Sequence, residues 1–265
     1  MLQSSDSNTP VADLKKASML VPRLPVLAYH WLIADSVAIA NRFEIRASTF
    51  KSHLKLLMNF GFHFIPPTDV PGILTDGSPY PEKPVCLTFD DGTKDLYTRG
   101  WPVLSSKNIP FASFIVASKI GQLYDWNTDL GIKPKPMLSW PQVKEMADHG
   151  VVFGSHTLTH PDLTLLNPAS VIKELSESKK MIEDRIGREV SLLAYPYGRC
   201  NTMVKEIASR AGYNAAFGIQ AGVDDLLKSE LYDLKRALVK GTEGILRFRI
   251  RLLLASVRHA VRSGN

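Results

Sequence analysis

Short apolar segments alternate with amphipathic helical segments along most of this 265-residue chain. Three of the clearest apolar segments are PVCLTF (84–89), PFASFIVA (110–117) and VSLLAY (190–195). The clearest helix covers residues 167–187, where apolar residues recur with a period of about 3.6. Because parallel strands need long crossover connections, this alternation predicts an α/β fold. The simplest arrangement is a distorted (β/α) barrel of about seven parallel strands, closed or nearly closed.

The alternation continues through the chain without an internal repeat or an evident linker. We therefore expect a flexible leader over residues 1–22, one domain over 23–242 and a basic amphipathic helix over 243–265. A content of 45% hydrophobic and 22% charged residues is typical of a globular protein. It argues against a disordered chain and against a membrane-embedded one.

The formal net charge is +6, and a good share of the excess lies in the C-terminal segment. No nucleic-acid partner is expected, because the basic residues lack the aromatic or motif support typical of such surfaces. Within residues 244–262, an apolar stripe that includes Leu246 and Ile250 lies beside a stripe that includes Arg247 and Arg251. Such a helix either associates peripherally with an anionic membrane surface or docks on the barrel with solvated arginines.

The leader is polar for most of its length, and its apolar patch is too short for the apolar region of a signal peptide. We therefore expect the protein in the cytoplasm or at the inner membrane surface. The cell envelope is the alternative if the natural start lies upstream.

Chemically capable side chains follow several predicted strands. They are Asp90, Asp91, His156, Tyr197 and His30. The carboxyl ends of parallel strands meet at one edge of the fold, where ligands bind. Two adjacent carboxylates after a buried strand are unfavourable unless water, a cation or a proton relieves their repulsion. This edge is therefore predicted to be the functional site.

His156 and His160 are four residues apart, so one tight loop or helical turn can direct both imidazoles to one point. Alone, this spacing also fits two surface histidines. Together with a carboxylate from another strand end it favours a divalent ion, because two imidazoles and one carboxylate leave a position for water. One Asp of the pair can bind the ion while its neighbour acts as a general base.

TFDDG (88–92), SHTLTHP (155–161) and AYPYG (194–198) resemble, in that order, the first three motifs of the polysaccharide deacetylases. This is the NodB-homology family, or carbohydrate esterase family 4, and the resemblance extends over residues 24–240. It implies a distorted (β/α) barrel in which Asp90 is the base and Asp91, His156 and His160 hold the metal. Zinc is the expected ion, with cobalt and nickel as alternatives.

Two departures from the family pattern concern the residue that orients the catalytic Asp and the residue that serves as the general acid. Ala194 occupies the place of the usual orienting Arg, and no Leu-x-x-His follows the last strand. The Tyr-His pair that ends in His30 resembles the circularly permuted poly-N-acetylglucosamine deacetylase branch. That resemblance implies His30 as the acid, because barrel closure places the first strand beside the last. Arg236 in the last strand is the candidate that replaces the missing Arg.

The remaining candidates concern the substrate. The backbone N–H of Tyr197 is a candidate oxyanion donor, and Trp140 and Pro196 are candidate sugar contacts, with Trp126 as a further aromatic. Packing roles are the alternative for the aromatic residues. The expected function is metal-dependent removal of N-acetyl groups from N-acetylhexosamine units of a glycan, with release of acetate. The alternatives are deacylation of O-acetylated or lipid-linked sugars, and a glycan-binding pseudoenzyme.

Overall fold

The computed structural model describes residues 24–75, 78–126, 128, 131–220 and 230–260. The leader predicted over residues 1–22 lies outside the described residues. The strands are β1 Val26–Tyr29, β2 Trp31–Ile33, β3 Glu44–Arg46, β4 His63–Phe64, β5 Pro84–Phe89, β6 Ala112–Ile115, β7 Leu123–Tyr124, β8 Lys135–Pro136, β9 Val152–Ser155, β10 Leu192–Ala194, β11 Ala215–Gln220 and β12 Leu234–Leu238. The α-helices are α1 Ala47–Asn59, α2 Val70–Thr75, α3 Trp101–Ser105, α4 Trp140–Asp148, α5 Pro168–Ile186, α6 Thr202–Arg210 and α7 Ile245–Ala260.

Seven parallel strands form a closed barrel in the order β1, β12, β11, β10, β9, β6 and β5, and a β1–β5 pairing completes the ring. β4 pairs with the start of β5 outside this ring. Leu27 of β1 lies opposite Ala237 of β12 on one side and Leu87 of β5 on the other. The predicted (β/α) barrel is confirmed, and β1 is the strand that joins its two ends.

The helix predicted over 167–187 is confirmed as α5. Asn167 caps its start, because its side chain accepts a hydrogen bond of 2.9 Å from the Ser170 N–H. Gly187 ends it with a φ of +69°, a left-handed conformation that glycine adopts without strain. The buried residues of this helix are those that the 3.6-residue period predicted: Val171, Leu175, Ser178, Ile182 and Ile186. This face packs α5 against the outside of the barrel.

The segment after β5 is helical on both sides of Pro102. A π-helical turn over Leu96–Gly100 leads directly into α3. Pro102 lies in the first turn of α3, where its missing N–H has no intrahelical acceptor to lose. The segment from residue 121 to 139 contains the short antiparallel pair β7 and β8.

The C-terminal helix α7 docks on the barrel through residues other than the predicted stripe. Phe248 and Leu252 are buried, and the Phe248 ring stacks on His53 of α1 with the ring centroids 3.9 Å apart. Leu246 and Ile250 instead remain 65% and 47% exposed. The inner face of α7, with Phe248 and Leu252, therefore packs against the rest of the domain, as one of the two predicted alternatives stated. Association of the outer face with an anionic membrane stays a prediction.

Within the described ranges, none of the helices combines the length and the apolar character that crossing a lipid bilayer requires.

Candidate active site

The tight turn after β5 sends two adjacent carboxylates to different partners. Asp90 and Asp91 are only 1% and 3% exposed. Asp91 and Gly92 both have positive φ values, of 71° and 82°. A Cβ on Gly92 would lie 2.7 Å from Ile115 Cγ2, so glycine is required by both conformation and space. The turn therefore holds the aspartates rigidly at the carboxyl end of the barrel.

Asp91 faces the two histidines of the predicted metal site. Its Oδ1 lies 3.8 Å from Nε2 of His156 and 3.8 Å from Nε2 of His160. The three ligand atoms all lie within 4.8 Å of one another, and all three residues are buried. The structure therefore brings together the three residues that the sequence predicted as metal ligands.

Neighbouring groups orient these ligands. His156 Nδ1–H donates a 2.7 Å hydrogen bond to the carbonyl oxygen of Ala194, which leaves the Nε2 lone pair directed at the shared point. Trp31 Nε1–H donates to Asp91 Oδ2 at 2.9 Å. The Trp126 ring stacks on His160 with centroids 4.7 Å apart. Trp126 thus contacts a predicted ligand, and it also lines the cavity above the site.

The loop that carries both histidines is fastened by α5. Glu174 accepts hydrogen bonds from the N–H groups of Leu158 and Thr159 at 2.8 and 2.9 Å. It also accepts a 2.6 Å bond from the Thr159 hydroxyl. Thr157 and His160 have φ values of +69° and +67°, so this loop is strained as well as anchored. Glu174 is a positioning residue that the sequence analysis missed, because its half-buried place on a helix carries no motif.

The electrostatics of the three ligands suit a cation. Burial, together with the charge of Asp90, raises the pKa of Asp91 well above its ordinary value. Burial and the charge of His156 lower the pKa of His160 well below its ordinary value. A carboxylate and two neutral imidazole nitrogens that converge on one point are a donor set typical of zinc and similar divalent ions. The residues present therefore fit such an ion.

Asp90 is held from the other side by Arg236. The guanidinium donates to both carboxylate oxygens, with NH1–Oδ1 and NH2–Oδ2 distances of 2.6 and 2.8 Å. It also donates to Thr88 Oγ1 at 3.1 Å and to the Gly218 carbonyl at 3.2 Å. Burial alone would raise the pKa of Asp90, but the Arg236 charge and hydrogen bonds outweigh it and lower the pKa to about 2. Asp90 is therefore ionised at neutral pH.

His30 follows β1 and lies beside Asp90. Its Nε2 is 3.9 Å from Asp90 Oδ2, and its ring centroid is 4.8 Å from that of Phe43. The side chain is nearly buried, and this burial lowers the pKa of His30 to about 4 against the partial opposition of the Asp90 charge. The imidazole is consequently neutral at pH 7 in the absence of substrate.

A cavity of about 440 Å³ lies above these groups and is lined by His30, Asp90, Asp91, His156 and His160. Tyr197 also lines it, with a φ of +59° and with its ring 5.0 Å from that of His160. Five other aromatic residues line the cavity: Trp31, Phe43, Tyr124, Trp126 and Tyr195. A concave site with a polar floor and aromatic walls is suited to a small ligand or a sugar unit.

Two predicted sugar contacts lie elsewhere. Trp140 begins α4 and lies outside the cavity, beneath the Arg185 guanidinium of α5 at 5.4 Å. Pro196 is buried below the Tyr197 turn and does not line the cavity either. The physical reason for Trp140 is that α4 belongs to the outer helical layer, where the ring packs between helices.

Comparisons with known proteins agree with this geometry. A sequence model of the family described as "Polysaccharide deacetylase" matches residues 77–216. The Bacillus subtilis protein YxkH, whose name places it among the polysaccharide deacetylases, is 30% identical over 200 residues, which are 76% of this chain and 66% of that protein. A Staphylococcus aureus poly-beta-1,6-N-acetyl-D-glucosamine N-deacetylase is 26% identical over 72% of this chain and 66% of its own length. Each of these matches thus spans slightly less than two thirds of the relative.

Among solved structures, the Streptococcus pyogenes deacetylase PplD in complex with acetate superposes with a TM-score of 0.74 at 25% identity. That superposition covers 86% of this chain and 97% of the streptococcal one. The matched family range contains Asp90, Asp91, His156 and His160, whereas His30 and Arg236 lie outside it. On the family match and the shared barrel, this chain belongs to the polysaccharide deacetylase family.

Proposed function

We propose that this protein is a metal-dependent hydrolase that removes N-acetyl groups from N-acetylhexosamine units of a glycan and releases acetate. One observation carries the proposal: three convergent metal-ligand atoms and an ionised, immobilised carboxylate lie on the floor of one cavity. Family membership supports the deacetylase chemistry. The staphylococcal relative, which is named for poly-beta-1,6-N-acetyl-D-glucosamine, supports an N-acetylated sugar as the substrate.

A divalent ion held by Asp91, His156 and His160, with zinc as the first candidate, would polarise the acetamide carbonyl and lower the pKa of the attacking water.

Asp90 is the proposed general base. Its pKa is held at about 2, so it is available as a carboxylate throughout the neutral range. Arg236 occupies one lone-pair direction on each oxygen, which orients the carboxylate and leaves the other directions for the water proton. Arg236 is therefore proposed to orient Asp90 in place of the usual Arg, whose position is occupied here by Ala194.

His30 is the proposed proton donor to the departing sugar nitrogen. Because the free imidazole is neutral, the proton that it delivers must arrive during the reaction. Asp90 is the nearest source, at 3.9 Å from Nε2. We infer that the proton removed from water by Asp90 passes to His30 and then to the amine, so that one proton serves both steps.

Tyr197 is the proposed site of an oxyanion donor, through its backbone N–H. The left-handed conformation of this residue turns the chain sharply at the rim of the metal site. A fixed donor of this kind contributes roughly 3 kcal/mol to transition-state stabilisation.

The test is acetate release from short β-linked N-acetylglucosamine oligomers, both β-1,4 and β-1,6, by protein stripped with chelator and reloaded with zinc, cobalt or nickel. We expect release that requires metal and collapses in His30→Ala. Faster release from O-acetylated sugars than from N-acetylated ones would favour the esterase alternative. Oligomer binding without release, in protein with metal bound, would favour the pseudoenzyme.

A further inference from the structure

The cavity wall carries more positive charge than the proposed reaction uses. Four cationic side chains line it: Arg42, Arg199, Lys240 and Arg251. Among the described residues, the carboxylates that line it are Asp90 and Asp91, and both lie on the floor, where one pairs with Arg236 and the other belongs to the candidate metal-ligand set. The described part of the wall is therefore cationic even before a divalent ion is added.

Two of the four cations have partners of their own. Arg199 pairs with Asp162 at 2.7 Å. Arg251 pairs with Glu243 at 3.0 Å and donates to the Leu238 carbonyl at 3.0 Å. Each of these two side chains therefore already has an ion-pair partner. Arg199 lies beside the Tyr197 ring, and Arg251 links α7 to Glu243 and to β12.

Arg42 and Lys240 differ, because each is exposed and neither has a carboxylate partner in the part of the chain that the structure describes. Their segments adjoin, since the N–H of Gly241 donates to the carbonyl oxygen of Arg42 at 3.0 Å. The Arg42 guanidinium lies 4.9 Å from the centre of the Phe43 ring, and that ring lies against His30. Two cations without an ion-pair partner among the described residues thus line the same cavity as the proposed proton donor.

We propose that Arg42 and Lys240 bind an anionic group, a phosphate or a carboxylate, carried by the glycan next to its N-acetylhexosamine unit. This inference rests on the proposed function and names its substrate class. Guanidinium and ammonium groups on a concave wall raise the local concentration of anions and form charge-assisted hydrogen bonds with them. A neutral N-acetylglucosamine polymer would gain no such interaction, and its deacetylated, cationic product would be repelled by the same wall.

The experiment compares a neutral β-linked N-acetylglucosamine tetramer with the same tetramer carrying a phosphate monoester on one sugar, using metal-loaded full-length protein. We expect kcat/KM to favour the phosphorylated tetramer by about tenfold at low ionic strength, with the preference shrinking as salt screens the charges. A uronic-acid-containing oligosaccharide in place of the phosphorylated one distinguishes a carboxylate from a phosphate as the preferred anion.

Variants of Arg42 and Lys240 test whether the preference for the phosphorylated tetramer depends on the charge of these side chains or on their shape. Arg42→Gln/Lys240→Gln should abolish the preference, whereas the charge-conserving Arg42→Lys/Lys240→Arg should retain most of it. The matched control Lys107→Gln/Arg188→Gln removes the same charge from exposed positions beyond the ends of α3 and α5, away from the cavity, and should leave the preference unchanged.

Equal use of both tetramers at low salt would overturn the inference while leaving the deacetylase proposal intact. If no acetate is released from any substrate, the proposed function fails. Calorimetric binding of the two tetramers then still decides the inference, which is wrong if the phosphorylated one does not bind more tightly.

Discussion

The two sides of the site are built in different ways. The metal side consists of Asp91, His156 and His160, which follow β5 and β9 and lie within the family range 77–216. The side that faces Asp90 consists of His30, after β1, and Arg236, in β12, both outside that range. Short motifs thus specify the first side, whereas closure of the barrel assembles the second.

The two sides also differ in how their charges are balanced. Asp91 is buried beside Asp90, and no Lys or Arg of the described ranges forms an ion pair with it; burial and the Asp90 charge raise its pKa. Asp90 is neutralised by the fully buried guanidinium of Arg236, which lies over the rings of Phe114 and Phe217. One aspartate would therefore take its counter-charge from a bound divalent ion, whereas the counter-charge of the other is part of the barrel itself.

The largest expected effect distinguishes the two aspartates. Asp90→Asn should lower kcat by about 10³-fold with metal still bound, because it removes the general base. Asp91→Asn should lose the metal itself, because it removes the charged ligand. Metal content by atomic absorption and acetate release measure both. Near wild-type turnover in Asp90→Asn would show that the base lies elsewhere.

Next in size is the effect of breaking the built-in ion pair. Arg236→Met should lower the free energy of unfolding by about 3–5 kcal/mol, because Asp90 is left as an unpaired buried charge. Addition of Asp90→Asn to this variant should restore part of the loss. Denaturant unfolding of the two single variants and the double variant gives the coupling energy. Simple additivity would mean that the pair contributes little to stability.

The metal side is expected to respond more mildly to loss of a supporting contact. Trp31→Phe removes the 2.9 Å hydrogen bond to Asp91 Oδ2 and should weaken zinc affinity by about 10–100-fold. Competition with a chromophoric chelator measures it. Trp101→Phe is the matched control, since Trp101 lies on α3 away from the site. A loss of stability without a change in affinity would assign Trp31 to packing alone.

The smallest expected effect is on the pH dependence of stability, and it comes from His53, which packs between β1 and α7. His53 is buried against Phe248 of α7 and Tyr29 of β1, and burial lowers its pKa to about 4 from 6.5. The unfolded chain therefore binds the proton more readily. His53 destabilises the fold progressively as the pH falls below about 6.5, by about 1 kcal/mol near pH 5.5.

Denaturant unfolding at a series of pH values should show that His53→Gln flattens this part of the stability profile. Acid sensitivity equal to that of the wild type would assign the effect to other groups.

Much of the fold was predictable because it depends on local patterns. The 3.6-residue period located α5, and the apolar runs located β5, β6 and β10. The predicted strand ends placed Asp90, Asp91, His156 and His30 around one point, and they lie there. Trp140 shows the limit of this reasoning, because sequence cannot tell whether an aromatic residue in the first turn of a helix faces the cavity or the neighbouring helix.

Contacts between distant segments account for what the sequence did not show. Trp31 reaches Asp91 across 60 positions, and Glu174 fastens the histidine loop from a helix face that carries no motif. The adjacency of Arg42 and Lys240 likewise depends on a backbone hydrogen bond between segments far apart in the chain. None of these residues differs in type or spacing from an ordinary surface or core residue.

By itself, the sequence determined the barrel and the candidate metal ligands, because strand periodicity and the short motifs after strands are local properties of the chain. Only the tertiary structure decided which charges neutralise each other. Arg236 and Asp90 are 146 positions apart, and they meet because β1 pairs with both β5 and β12. A buried ion pair exists only once the strands that carry it have closed the barrel and excluded water.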